Sequence, residues 1–236
     1  MVTDSSKKIK LFIDGPKLDE IPKKFEIEVD GYTFNPSLFK KNGAKNYLDY
    51  CNEIIKTCGD KPVSLEVIAD DEENMLRQGK KLSKLSDTVY VKVPIVFTNG
   101  KSTLNVIKKL STEGIKLNIT AIFLIEQIKL ILQDIKKTKS ILSIFAGRLY
   151  DSGINAKLKM SEMNKFVHEN SSCETLWAST RMVYDYKQAI EVDTDIITMQ
   201  IDHLKKMKLF KINASDYSIK TVKQFYDDAK DSGFEF

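Results

Sequence analysis

The sequence predicts an α/β protein folded as a closed (β/α)8 barrel, the TIM barrel. Eight short β-rich runs alternate with amphipathic helical stretches, the pattern of βαβ units and a parallel sheet. The 236 residues suit eight such units, which typically need ~250 residues. The run after the first strand, IDGPKLDE, is not the Gly-rich phosphate loop of an open doubly wound sheet.

The strands are expected at KIKLFIDG (8–15), YTFNP (32–36), VSLEVIA (63–69), VYVKVPI (89–95), LNITAIF (117–123), ILSIFAG (141–147), TLWAS (175–179) and DIITM (195–199). Between them SLFKKNGAKNYLDYCNEIIKTC and DDEENMLRQGKKLSKL carry helical periodicity. SIKTVKQFYDDAKDSGFEF is expected to form a last helix and tail, over about 216–236, packed on the barrel or on a neighbouring subunit. The whole chain, 1–236, is expected to be one barrel domain, since no linker or low-complexity segment interrupts the alternation.

Composition bounds the function. Hydrophobic residues make up 42% and charged residues 30%, as in a globular protein with a substantial core. A net charge of +4 is too mild to point to nucleic acid, and KKMKLFK (205–211) is expected to be a solvated helix face. MVTDSSKKIK lacks the apolar core of a secretory signal. TAIFLIEQIKLIL is broken by Glu126, Gln127 and Lys129, so no membrane span is expected. Cys51, Cys58 and Cys173 form neither a metal pattern nor an even disulfide set, which fits a cytoplasmic protein. His168 and His203 have no partner at ligand spacing, which argues against a metal site and histidine-based catalysis.

Within the strands, alternation sets polar groups apart from aliphatic ones. Phe12 and Asp14, Ser64 and Glu66, Tyr90 and Lys92, Asn118 and Thr120, and Ser143 and Phe145 share one face of their strands. Leu11, Ile13, Leu65, Val67, Val91, Val93, Leu117 and Ile119 take the other. If the aliphatics lie under the helices, the polar set converges inside the barrel. Buried polar groups are costly unless paired, and barrel enzymes carry their chemistry at the C-terminal strand ends. A lysine in an apolar wall favours its neutral, nucleophilic form, which adds to carbonyls as a Schiff base. Asp14 and Glu66 are then available for proton transfer, and Asn35, Asn118 and Ser143 for hydrogen bonds to a polyol. Only three arginines occur, in a background of lysine. Arg148 and Arg181 follow strands six and seven, where a planar fork could grip phosphate; Arg77 lies mid-helix and reads as surface.

FIDG, YTFNPSL, VSLEV, VYVKVP, EGIKLNITAIF, SIFAGR, WASTR and DIIT, in this order over nearly the whole chain, resemble the transaldolase family. The likeness is to its small-chain branch, which also holds the fructose 6-phosphate aldolases. The resemblance implies a class I aldolase-like barrel with no cofactor, often oligomeric. It implies that Lys92 forms the Schiff base, that Asp14 is the acid–base at the C4 hydroxyl, and that Glu66 and Thr120 hold a catalytic water. Asn35, Asn118 and Ser143 would bind the ketose, and Arg148, Ser179 and Arg181 its phosphate. The implied reaction passes a dihydroxyacetone unit from fructose 6-phosphate or sedoheptulose 7-phosphate to erythrose 4-phosphate or glyceraldehyde 3-phosphate. The family's aldolases carry Gln and Tyr where this chain has Glu66 and Phe145, which favours transfer over release of free dihydroxyacetone. A non-catalytic sugar-phosphate-binding barrel is the third alternative. Phe34, Gly15–Pro16, Val96, Ile144 and Pro22 depart from the family's pattern.

Overall fold

The structure, a computed structural model, describes residues 8–21 and 28–235. Pro22 lies outside them. Eight parallel strands close into a barrel in chain order, the last pairing with the first. They are β1 (Lys10–Asp14), β2 (Gly31–Thr33), β3 (Val63–Glu66), β4 (Val89–Pro94), β5 (Leu117–Ile122), β6 (Ile141–Ile144), β7 (Glu174–Trp177) and β8 (Ile196–Met199). The helices are α1 (Pro36–Lys41), α2 (Tyr47–Cys58), α3 (Glu72–Ser83), α4 (Leu104–Thr112), α5 (Ile125–Ile135), α6 (Ala146–Asp151), α7 (Ala156–Asn170), α8 (Asp185–Glu191), α9 (Ile201–Met207) and α10 (Ala214–Ser232).

The alternation works as the sequence predicts. Leu11, Ile13, Leu65, Val91, Val93, Leu117 and Ile119 join the large core between strands and helices. Phe12, Ile141, Leu176, Ala178 and Ile196 form a second cluster that fills the barrel interior, with Tyr90 and Phe145 packed on it. Burying each large apolar side chain contributes about 1.5–3 kcal/mol. The barrel floor is therefore solid, and polar groups are confined to the layer above it.

Two local expectations change. YTFNP is strand only as far as Thr33; Asn35 instead caps α1, its side chain accepting from the Leu38 N–H at 3.0 Å, with Pro36 in the first turn. The long helix expected over 37–58 is two helices. Gly43 takes φ +80° between them, and Asn46 starts α2 by accepting from Leu48 and Asp49.

Several departures find a structural reason. Phe34 is fully buried in the outer core, edge-on to Phe39 at 5.9 Å, so its side chain faces the helices. Ile144 is buried in the same core. Val96 forms an isolated bridge with Ser102 in the loop after β4. Gly15 has φ +57°, and a Cβ there would lie 2.5 Å from the Leu38 side chain, so glycine is required.

The lysines of 205–211 are exposed while Leu204 and Met207 face the core, as expected of a solvated helix face. α10 has no buried residue. Cys51, Cys58 and Cys173 are unbridged and buried, and burial pushes the Cys51 and Cys58 thiols up to about 12. Among the described residues no helix is long and apolar enough to cross a membrane.

Candidate active site

Parallel register brings the polar residues into adjoining layers. Glu66 pairs with Lys92 and Lys92 with Asn118 across β3, β4 and β5. Thr33 lies beside both Asp14 and Ser64. Above these residues a cavity of about 90 Å³ opens at the C-terminal strand ends, lined by Asp14, Asn35, Lys92, Thr120, Ser143, Phe145, Arg148 and Ser179 among others.

Lys92 is only 5% exposed. Its Nζ donates to the Phe34 carbonyl at 3.1 Å and lies 3.1 Å from Glu66 Oε2. The wall around it is thus not purely apolar: its head is met by a carboxylate and a carbonyl, and only its stem crosses the apolar strand. Glu66 reaches Lys92 but does not line the cavity. The Tyr47 hydroxyl donates to the Glu66 carbonyl and fixes the end of β3.

Asp14 ends β1 and lines the same cavity as Lys92. Its Oδ1 accepts from Thr33 Oγ1 at 2.7 Å, and Thr33 Oγ1 is 2.6 Å from Thr198 Oγ1. Burial pushes the Asp14 carboxyl above its ordinary value; Lys92 and the Thr33 hydrogen bond pull it down, and Glu66 adds to the rise.

Asn118 lies beneath the cavity rather than in its wall. It donates to Ser64 Oγ at 3.0 Å and accepts from Ser143 Oγ at 2.7 Å, tying three strands together. Thr120 Oγ1 is buried with no hydrogen-bond partner among the described residues. Immediately after it Ala121 takes φ +59° and the β5–β6 register shifts, a bulge of the kind that re-aims side chains beside active sites. Asn35 lines the cavity while its side-chain oxygen caps α1.

The arginines separate. Arg148 lines the cavity, its guanidinium 5.4 Å from the centre of the Phe145 ring. Arg181 does not line it. Its Nε and Nη2 grip Asp151 at 2.5–3.0 Å, and its Nη1 donates to the Ser179 carbonyl and hydroxyl at 2.8 and 3.1 Å. Ser179 has φ +63°, and its carbonyl presses on Gly147, where a Cβ would lie only 1.6 Å away. The glycine of the SIFAGR run thus lets the β6 and β7 ends meet.

Sequence reasoning missed Thr33 and Thr198, which bracket Asp14. The signal was present: each stands at an inward position of its strand. Arg77 bonds Asn74 on the surface of α3, as expected.

A family model described as Transaldolase/Fructose-6-phosphate aldolase matches residues 11–235. A "Probable transaldolase" of Methanococcus maripaludis (strain C5) is 36% identical over 202 residues, covering 84% of this chain and 89% of the relative. Another "Probable transaldolase", from Bdellovibrio bacteriovorus, is 34% identical over 223 residues, covering 93% and 97%. Among solved structures, the one named "Native KDPGal structure" superimposes with a TM-score of 0.55 at 10% identity, over 84% of this chain and 85% of that one, a likeness of fold alone. With its closed barrel and a match that runs from the first strand into the tail, this chain belongs to the transaldolase/fructose-6-phosphate aldolase family.

Proposed function

We propose that the protein is a transaldolase that carries a dihydroxyacetone unit on Lys92. The observation that supports this best is Lys92 Nζ at the barrel mouth, between Glu66 and a cavity shared with Asp14 and Arg148. In this reading the amine adds to the C2 carbonyl of a ketose phosphate, and loss of water gives the iminium ion. Asp14 takes the C4 hydroxyl proton, the C3–C4 bond breaks, and its electron pair passes into the iminium to leave an enamine. An aldose phosphate leaves. The enamine C3 then attacks the carbonyl carbon of an acceptor aldehyde, and Asp14 returns its proton to the new C4 oxygen. Water held by Glu66 and Thr120 hydrolyses the imine and releases product. Asn35, Asn118 and Ser143 orient the ketose, and Arg148, Ser179 and Arg181 hold its phosphate. These steps require no cofactor, and the sugar phosphates are the partners; assembly into a homo-oligomer is part of the same reading.

Glu66 and Phe145 favour transfer over free cleavage. A phenol at position 145 would hold a water able to protonate the enamine; the Phe145 ring, packed on Phe12 and its neighbours, offers no such group. The test is dihydroxyacetone formed from fructose 6-phosphate with and without erythrose 4-phosphate. Transfer is expected to exceed release, and Phe145→Tyr is expected to raise release by about a hundredfold, the low end of the range for one positioned proton donor. Equal release by the unmodified protein without acceptor makes it an aldolase.

Arg148→Lys keeps charge but loses the planar fork. The KM for fructose 6-phosphate is expected to rise about tenfold more than that for an unphosphorylated ketose, the scale of a lost charge-assisted bond. Equal losses on both substrates refute the phosphate role.

A further inference from the structure

We infer that Asp185 is the positioning residue of the anion-binding segment 179–182, a role that rests on the phosphate reading above. Asp185 opens α8 and is completely buried. Its Oδ2 accepts from the backbone N–H of Arg181 at 2.7 Å and of Met182 at 3.1 Å. Its Oδ1 accepts from Gln188 Nε2 at 3.4 Å, and Gln188 in turn accepts from the Tyr150 hydroxyl on α6. The next residue, Asp151, grips the Arg181 side chain. The segment is therefore fixed twice, its backbone by Asp185 and its arginine by Asp151.

It needs fixing. Ser179 stands in the left-handed region, which is unfavourable for a residue other than glycine and persists only when the surroundings over-determine it. Two donors aimed at one phosphate act together only if their spacing is held, and Arg181 Nη1 meets Ser179 Oγ at 3.1 Å. A buried carboxylate so near an anion site opposes anion binding by charge alone. Its value there is geometric: it accepts from two successive backbone donors, and by doing so it fixes where Ser179 and Arg181 stand.

The experiment compares the unmodified protein with Asp185→Asn and Asp185→Ala. It measures inhibition by inorganic phosphate, and kcat and KM on fructose 6-phosphate and on unphosphorylated fructose. Asparagine retains one acceptor oxygen, so phosphate inhibition is expected to weaken about threefold; alanine leaves both donors unpaired, and about tenfold is expected. The preference for the phosphorylated ketose should fall by the same factors, carried by KM. If the alanine variant does not fold, the asparagine variant decides. Variants inhibited by phosphate as strongly as the unmodified protein, or losing kcat equally on both ketoses, overturn the inference. If the unmodified protein itself is insensitive to phosphate, the phosphate reading fails and this role falls with it.

Discussion

Lys92→Ala is expected to lower turnover by a factor on the order of 10⁴ or more, the largest single effect in the protein. Without the amine no covalent intermediate can form, and the remaining groups only bind and orient. The change is expected to leave the fold intact. The Lys92 side chain itself lines the cavity, so its removal enlarges a space that already exists rather than opening a void in the packed core. Borohydride added to the unmodified protein with fructose 6-phosphate should add a reduced sugar fragment to the peptide that holds Lys92, seen by mass spectrometry, and stop turnover. An alanine variant with near-normal activity, or a fragment found on another lysine, refutes the assignment.

Asp14→Asn is expected to lower kcat by about 10²–10⁴-fold, the range for loss of a positioned general acid–base. The pH dependence gives this prediction its sign. Burial raises the folded carboxyl above its ordinary value of 3.8, so the folded protein binds more protons than the unfolded chain between 3.8 and the raised value. Across that window Asp14 makes stability fall as pH rises. The asparagine variant lacks this decline, so its advantage in melting temperature should be smallest below about pH 4 and grow toward neutrality. Cleavage needs the ionised carboxylate, so the acid limb of the unmodified protein's kcat profile should vanish in the variant. Thermal melts and rates across pH check both signs. A variant that keeps the acid limb, or one whose relative stability falls with pH, removes Asp14 from the proposed role.

The order of the eight strands and the direction of their side chains were legible in the sequence. In an extended chain, successive residues face opposite sides whatever lies around them, so Phe12 and Asp14 could be set apart from Leu11 and Ile13 by counting. The break at Gly43 was harder to see. Helical periodicity runs on either side of it, and only the positive φ and the cap by Asn46 separate α1 from α2.

Side-chain pairing was not legible, because it depends on register between distant segments. That Glu66 meets Lys92, that Asn118 reaches both Ser64 and Ser143, and that Thr33 joins Asp14 to Thr198 follow from how far each strand slides along its neighbour. Arg181 shows the limit most clearly. Its place at the end of strand seven could be read in advance, but its long side chain turns to the nearest carboxylate, Asp151. The barrel, the inward lysine and the acidic residues around it could be read from residue order, since these depend on local alternation and closure of the sheet. Which of those groups touch was set by the packing of the folded chain, because a hydrogen bond needs a placement within a few tenths of an ångström that no spacing along the chain specifies.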